Sequence, residues 1–292
     1  MAVSVTYATL NQLGQMTVFS NGLPEPARYG VPLGSEYFPQ AESLLVEPQE
    51  YHYQFFLRGG TNTSNPMPID TEPMGIALNG VPLFGPLAEY GPLPGGVIQP
   101  PSGFTWDRVF AEESYGVDAC GGVPNETSAY RYYSSNFLNG CWVQALINST
   151  PYLKSTDYEG DNLRHPDGHS KIIGWAFDGY PIYGPWGYED PYDQLSGPIR
   201  MTSSYALMTQ EAYGRTYSFG QLSKGTFVQD WEYDSDSGTL DYYNGRHTKT
   251  PEYPNGTYAY FVTQDENNIP VFPYIFGMST RQQRPAQSGH NH

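Results

Sequence analysis

The chain carries one ten-residue stretch twice. Residues 77–86 read ALNGVPLFGP and residues 176–185 read AFDGYPIYGP, with Ala, Gly, Pro, Gly and Pro in register. Each copy follows a Gly-x pair, Gly75-Ile76 and Gly174-Trp175. Asn79-Gly80 and Asp178-Gly179 stand between short apolar runs, the strongest short-range sign of a β-hairpin. A type I′ turn, with φ > 0 at both central residues, is the expected geometry. Pro82 and Pro181 lack a backbone donor, which places them at an edge, at a bulge or where a strand leaves its ladder. A tight hairpin used twice suggests two pseudo-equivalent halves on one core. The plainer alternative is one good hairpin solution reached twice.

Composition points to the same fold class. The 292 residues include 26 Tyr, 32 Gly and 26 Pro against 14 Lys and Arg together. Gly and Pro disfavour helices, and Tyr suits a half-buried pleated surface. The expectation is an all-β protein: a single large β-sandwich-like domain with long ordered loops and two similar hairpins at 75–86 and 174–185. In YHYQFFL (51–57), Tyr51, Tyr53, Phe55 and Leu57 share one face at period 2, which reads as a strand. TYAYFVTQ (257–264) and VFPYIFG (271–277) read as strands, and YALMTQEAYGR (205–215) as a short helix. The expected organisation is N-terminal strands over 1–74, a main β domain over 75–277, and a polar, frayed tail over 278–292.

Charge narrows the partners. A net charge of −16 repels nucleic acid and anionic membrane surfaces. No apolar run approaches the length of about 18 residues that spanning a membrane by helix requires. The N-terminal stretch MAVSVTYATLNQLGQMTV lacks a basic start followed by an apolar core, so no secretory signal is expected. Cys120 and Cys141 have neither zinc-knuckle nor C-x-x-C spacing. A disulfide between them would stabilise by roughly 3 kcal/mol in the chain-entropy model; buried free thiols are the alternative. The N-x-[ST] sequons at Asn62, Asn125, Asn148 and Asn255 are of the kind Asn-rich loops produce by chance.

Ordered blocks along the chain resemble one family. They are Gly75–Phe84; Asp118-Ala119-Cys120-Gly121-Gly122; His169–Gly184, reading HSKIIGWAFDGYPIYG; Leu240-Asp241 with Asn244-Gly245-Arg246; Pro254–Thr263, reading PNGTYAYFVT; and Phe272-Pro273-Tyr274. In this order they resemble the YHYH-domain proteins, named for a Tyr-His-Tyr-His motif. The chain departs from that motif. After the Cys-Gly-Gly block it reads Tyr130-Arg131-Tyr132-Tyr133, and Val123 stands where a further histidine commonly follows. The YHYQ at 51–54 precedes the first hairpin, out of the family's order, and reads as an ordinary strand. Two histidines at alternate strand positions would present two imidazoles to one side, so the resemblance implies a His-rich metal site for the family. Here Arg131, a permanent cation, repels a divalent metal.

The polar residues that remain offer several chemistries. His169 and Asp178 suit a general base and its orienter, or a structural hydrogen bond fixing a loop on the second hairpin. Arg246 suits a substrate carboxylate, or an internal pair with Asp241. His169, His247, Asp234 and Asp236 are the candidate metal ligands, with calcium the ion an acidic loop over 230–241 would take, although that loop lacks EF-hand glycine spacing. Trp175, Tyr180 and Tyr183, with Trp186 and Tyr188, form an aromatic cluster that either stacks on sugars or fills a wide β core. No nucleophile-elbow sequence and no phosphate-binding glycine loop occurs.

The expected function is therefore a non-enzymatic structural or adhesion protein, of the phage-virion kind in which YHYH-like domains also appear. It would be located in a virion or outside the cell. Its partners would be other structural proteins or copies of itself, and a surface glycan under the sugar-binding reading. An extracellular metal-dependent enzyme or metal-binding protein, and a carbohydrate-binding module, are the rivals.

Overall fold

A computed structural model describes residues 6–24, 46–61, 63–88, 91–93, 96–98, 100, 102–109, 122–125, 127–133, 164–209 and 224–284. The architecture is all-β. Its centre is an eight-stranded sheet in the order Gly122–Pro124, Tyr130–Tyr132, Pro82–Phe84, Pro73–Ala77, Ile172–Ala176, Pro181–Tyr183, Thr257–Phe261, Gly245–Thr248. The two hairpins occupy the middle and pair through Gly75↔Ala176, Ile76↔Trp175 and Ala77↔Gly174.

That order has a pseudo-twofold axis through the Ile76–Trp175 pair. Within the first hairpin Pro73, Gly75 and Ile76 face Phe84, Leu83 and Pro82. Within the second, Ile172, Gly174 and Trp175 face Tyr183, Ile182 and Pro181, with a register shift at the same place. On each outer side a parallel strand is added, pairing Tyr132 with Leu83 and Tyr260 with Ile182. An antiparallel strand follows, setting Gly122 against Tyr132 and Gly245 against Tyr260. The packing repeats as well. Tyr130 and Tyr132 meet edge to face at 5.4 Å, and Tyr258 and Tyr260 at 5.3 Å. The expectation of two pseudo-equivalent halves holds for the whole sheet and not only for its hairpins.

The turn geometry differs from the expected type I′. Gly80 and Gly179 have φ of +85° and +95°, whereas Asn79 and Asp178 are not among the residues with positive φ. Ala77 N–H donates to Val81 O and Gly80 N–H to Ala77 O; Ala176 N–H donates to Tyr180 O and Gly179 N–H to Ala176 O. These are three-residue loops, a type I turn followed by a left-handed glycine forming a bulge. Asn79 Oδ1 and Asp178 Oδ1 accept Val81 N–H and Tyr180 N–H, at 3.1 and 3.4 Å, a bond that favours Asx residues at these positions. Pro82 and Pro181 begin their strands beside the bulge, although both strands are interior to the sheet.

A three-stranded sheet of Thr6–Leu10, Gln15–Ser20 and Tyr51–Phe56 covers the two turns. Thr6 Oγ1 donates to Asn79 O and Ser20 Oγ to Gly80 O, at 2.8 and 2.7 Å. Arg58 N–H donates to Gly179 O. Tyr53 and Phe55, on the inner face, pack against Phe177 at 4.6 and 5.6 Å between ring centres.

Three local expectations are corrected. Tyr205–Leu207 is a strand paired with Trp231–Tyr233, where a helix over 205–215 was expected; residues 210–215 lie outside the described residues. Val271–Gly277 forms no strand. Tyr274 has φ +69° and its N–H turns back to Val271 O, so the backbone curls on itself. The first part of the expected frayed tail is instead held: Ser279–Thr280 pairs with Met67–Pro68, and the next residues supply donors to buried acceptors; residues 285–292 lie outside the described residues. Cys120 and Cys141, and with them the expected disulfide, lie outside the described residues.

Candidate functional site

The family-like blocks bring their polar residues to the second hairpin. Asp178 is buried in its turn. Its Oδ2 accepts the Tyr260 hydroxyl at 2.7 Å and Gln282 N–H at 3.1 Å, and Arg58 Nε donates to its backbone carbonyl. Burial pushes its carboxyl up to about 6, against the hydrogen bond from Tyr260. Tyr260 also accepts Arg281 N–H, at 2.7 Å. The carboxylate therefore ties the second half to the C-terminal segment, while the backbone carbonyl of the same residue holds Arg58, just beyond the N-terminal sheet.

His169 does not meet Asp178 in any hydrogen bond. Its backbone N–H donates to Asp167 Oδ1, and its Nδ1–H to Ser170 O at 2.7 Å. The imidazole is buried among the rings of Tyr183, Tyr188 and Phe261. The Nδ1 bond fixes the tautomer, which leaves Nε2 as a lone-pair acceptor with no partner among the described residues. Burial lowers its pKa to about 4, so the ring is neutral at pH 7.

The remaining candidates are placed apart. Asp241 accepts the Tyr258 hydroxyl at 2.8 Å and the N–H groups of Tyr243 and Gly245. The expected internal pair with Arg246 is absent, because Arg246 Nη2 donates to the Tyr188 carbonyl on the other side. Burial lowers the Arg246 guanidinium to about 10. His247 packs near Tyr192, and burial lowers its pKa. Asp234 and Asp236 form an exposed turn in which Asp234 Oδ1 accepts Asp236 N–H. Among the described residues no three His, Cys, Asp or Glu side chains are grouped as a cation cage requires.

Of the aromatic cluster, Trp175, Tyr180, Tyr183 and Tyr188 are core residues. Trp186 lies under the guanidinium groups of Arg164 and Arg200, at 3.6 and 4.8 Å from its ring centre. In the degenerate motif, Tyr130, Tyr132 and Tyr133 are buried and Arg131 lies 5.3 Å over the Phe84 ring.

Sequence reasoning missed an acid–base pair that approaches solvent. His165 Nε2–H donates to Glu252 Oε1 at 2.7 Å, with the two side chains 23% and 31% exposed. Tyr183 Oη donates to Glu252 Oε2 at 2.9 Å. Burial raises the Glu252 carboxyl, but the bonds from His165 and Tyr183 bring it below its ordinary value. Burial holds the Tyr183 hydroxyl well above 10 and protonated. The partners lie 87 residues apart in sequence, so no local spacing announces them.

Fold and site together define an all-β protein whose central sheet is doubled about one pair of residues, with its strongest polar node inside the second turn. The chain belongs to the YHYH protein family, whose model matches residues 52–272. The match takes in all but the first residue of the strand Tyr51–Phe56, which lies N-terminal to the block at 75 where the resemblance begins. No curated protein and no solved structure matches the chain.

Proposed function

We propose that the chain is a non-enzymatic structural or adhesion protein, a component of the kind a phage particle carries, working through contacts with other structural proteins or with further copies of itself. The observation that carries this reading is how the family-like blocks use their polar groups. Asp178 accepts two protein donors at one oxygen and one at the other, Asp241 accepts three, and His169 is enclosed by rings. Groups engaged mainly by the protein's own donors and rings are used as a scaffold uses them, which supports the reading.

The outer face of the N-terminal sheet supports the contact role. Tyr7, Phe19 and His52 stand in one cross-strand row, with Phe56 on the same face. Tyr7 is 56% exposed and Phe19 47%, and the Phe19 and His52 rings stack at 4.4 Å. Exposed aromatics of this sort are common anchors of protein interfaces. The pairing of Cys120 with Cys141 belongs to the same proposal, and intact mass after alkylation without reduction checks it.

Light scattering on the purified chain, across a concentration series, tests the reading. Self-association that Phe19→Asp reduces supports it. A monomer at all concentrations that binds a stoichiometric transition metal overturns it in favour of the metal-dependent rival.

A further inference from the structure

A cavity of about 280 Å³ lies between the N-terminal sheet and the middle of the eight-stranded sheet. Ile76 and Trp175, the pair on the pseudo-twofold axis, form part of its floor, and Ala8 and Val18 part of its roof. Its walls are mostly apolar, and Glu252 and Tyr253 border it. Thr9 and Glu252, which retain exposed atoms, bring this border to solvent.

One polar feature bears on what fits there. Each carboxylate oxygen of Glu252 receives one protein donor, while an ionised carboxylate has about four lone-pair positions. The apolar walls exclude a strongly hydrated occupant. The chain's net charge of −16 and the Glu252 carboxylate favour a cation over an anion.

We infer that this cavity binds a small aromatic or branched-aliphatic amine, its apolar body between the two sheets and its ammonium group on Glu252. The size follows from benzene filling an engineered cavity of about 150 Å³, so that a space near twice as large suits roughly a dozen non-hydrogen atoms. This binding role is separate from assembly.

Tryptamine, its neutral relative indole and its anionic relative indole-3-acetate are titrated into the full chain by calorimetry. Tryptamine is expected to bind and indole-3-acetate not to bind. Glu252→Gln is expected to weaken tryptamine by at least about tenfold, the loss of one charge-assisted hydrogen bond. Ala8→Phe, which fills the cavity from its roof, is expected to abolish binding; Val18→Phe replaces it if Ala8→Phe does not fold. The inference is overturned by no tryptamine binding at ligand concentrations on the order of 1 mM. It is equally overturned by tryptamine binding that survives a folded cavity-filling variant, or by equal affinity for indole and tryptamine. Light scattering on the same variants keeps a failure here distinct from a failure of the assembly reading.

Discussion

Asp178 accepts the Tyr260 hydroxyl at 2.7 Å, and in the pseudo-equivalent place Asn79 Nδ2 donates to the Tyr132 hydroxyl at 3.0 Å. The same turn-to-strand bond is made with opposite polarity. The reversal has a local cause. In the second half the carboxylate oxygen must also accept Gln282 N–H, which an amide nitrogen cannot do.

Asp178→Asn is therefore expected to keep the fold, because Asn79 shows that the turn tolerates an amide. If its nitrogen faces Tyr260 it leaves Gln282 N–H without its acceptor. The expected loss is about 1–3 kcal/mol of stability, the usual range for a buried group left unsatisfied. Hydrogen exchange should locate the effect, with faster exchange at residues 279–284. Unchanged exchange there would show that Asp178 does not hold the C-terminal segment.

The pH dependence of stability should contain two opposed contributions. Asp178 is raised to about 6, so between roughly pH 4 and 6 the folded state keeps a proton that the unfolded state has lost, and stability falls as pH rises. His169 is lowered to about 4. Over roughly pH 4 to 6.5 the unfolded state holds the extra proton, and stability rises with pH. Thermal melts of the Asp178→Asn and His169→Gln variants, each as a difference from the parent, should separate the two. Relative to the parent, removing Asp178 turns the slope of the Tm profile upward across the window, and removing His169 turns it downward. Difference curves that are flat for both variants would exclude this assignment.

The two turn glycines should respond unequally to alanine. Both have positive φ, which costs about 1–2 kcal/mol for a residue with a Cβ. At Gly179 the added Cβ would stand 2.0 Å from the Phe56 carbonyl oxygen, a backbone atom. At Gly80 it would meet the Thr6 and Ser20 hydroxyls at 2.1 and 2.3 Å, which are side-chain atoms able to rotate away. Denaturant melts should place Gly179→Ala below Gly80→Ala in stability. The reverse order would mean that the N-terminal sheet yields more easily than these contacts imply.

The fold was legible where residue spacing records it. The repeated hairpin is visible because turn glycines, prolines and apolar runs recur at one displacement. The turn type was not, since Asn-Gly serves both two-residue and three-residue loops. The rest of the duplication was hidden for a different reason. Gly122-Val123 with Tyr130-Arg131-Tyr132 matches Gly245-Arg246 with Tyr258-Ala259-Tyr260 only as Gly-x and Tyr-x-Tyr, and the loops between have different lengths. Asking which strand follows each hairpin would have found it. Of the candidate site residues, the sequence named His169 and Asp178 but not their burial, which depends on Phe261 and Gln282, distant along the chain. His165 and Glu252 became a pair only through the sheet.

The axis through Ile76 and Trp175 has an evolutionary reading. At this pair the sheet meets its own counterpart antiparallel, Gly75 opposite Ala176 and Ala77 opposite Gly174. Two separate copies of an ancestral half-length chain could have joined along the same ladder as a homodimer. Fusion into one gene would then have released the halves from identity, allowing one turn to carry an amide and the other a carboxylate that fastens the backbone at Gln282.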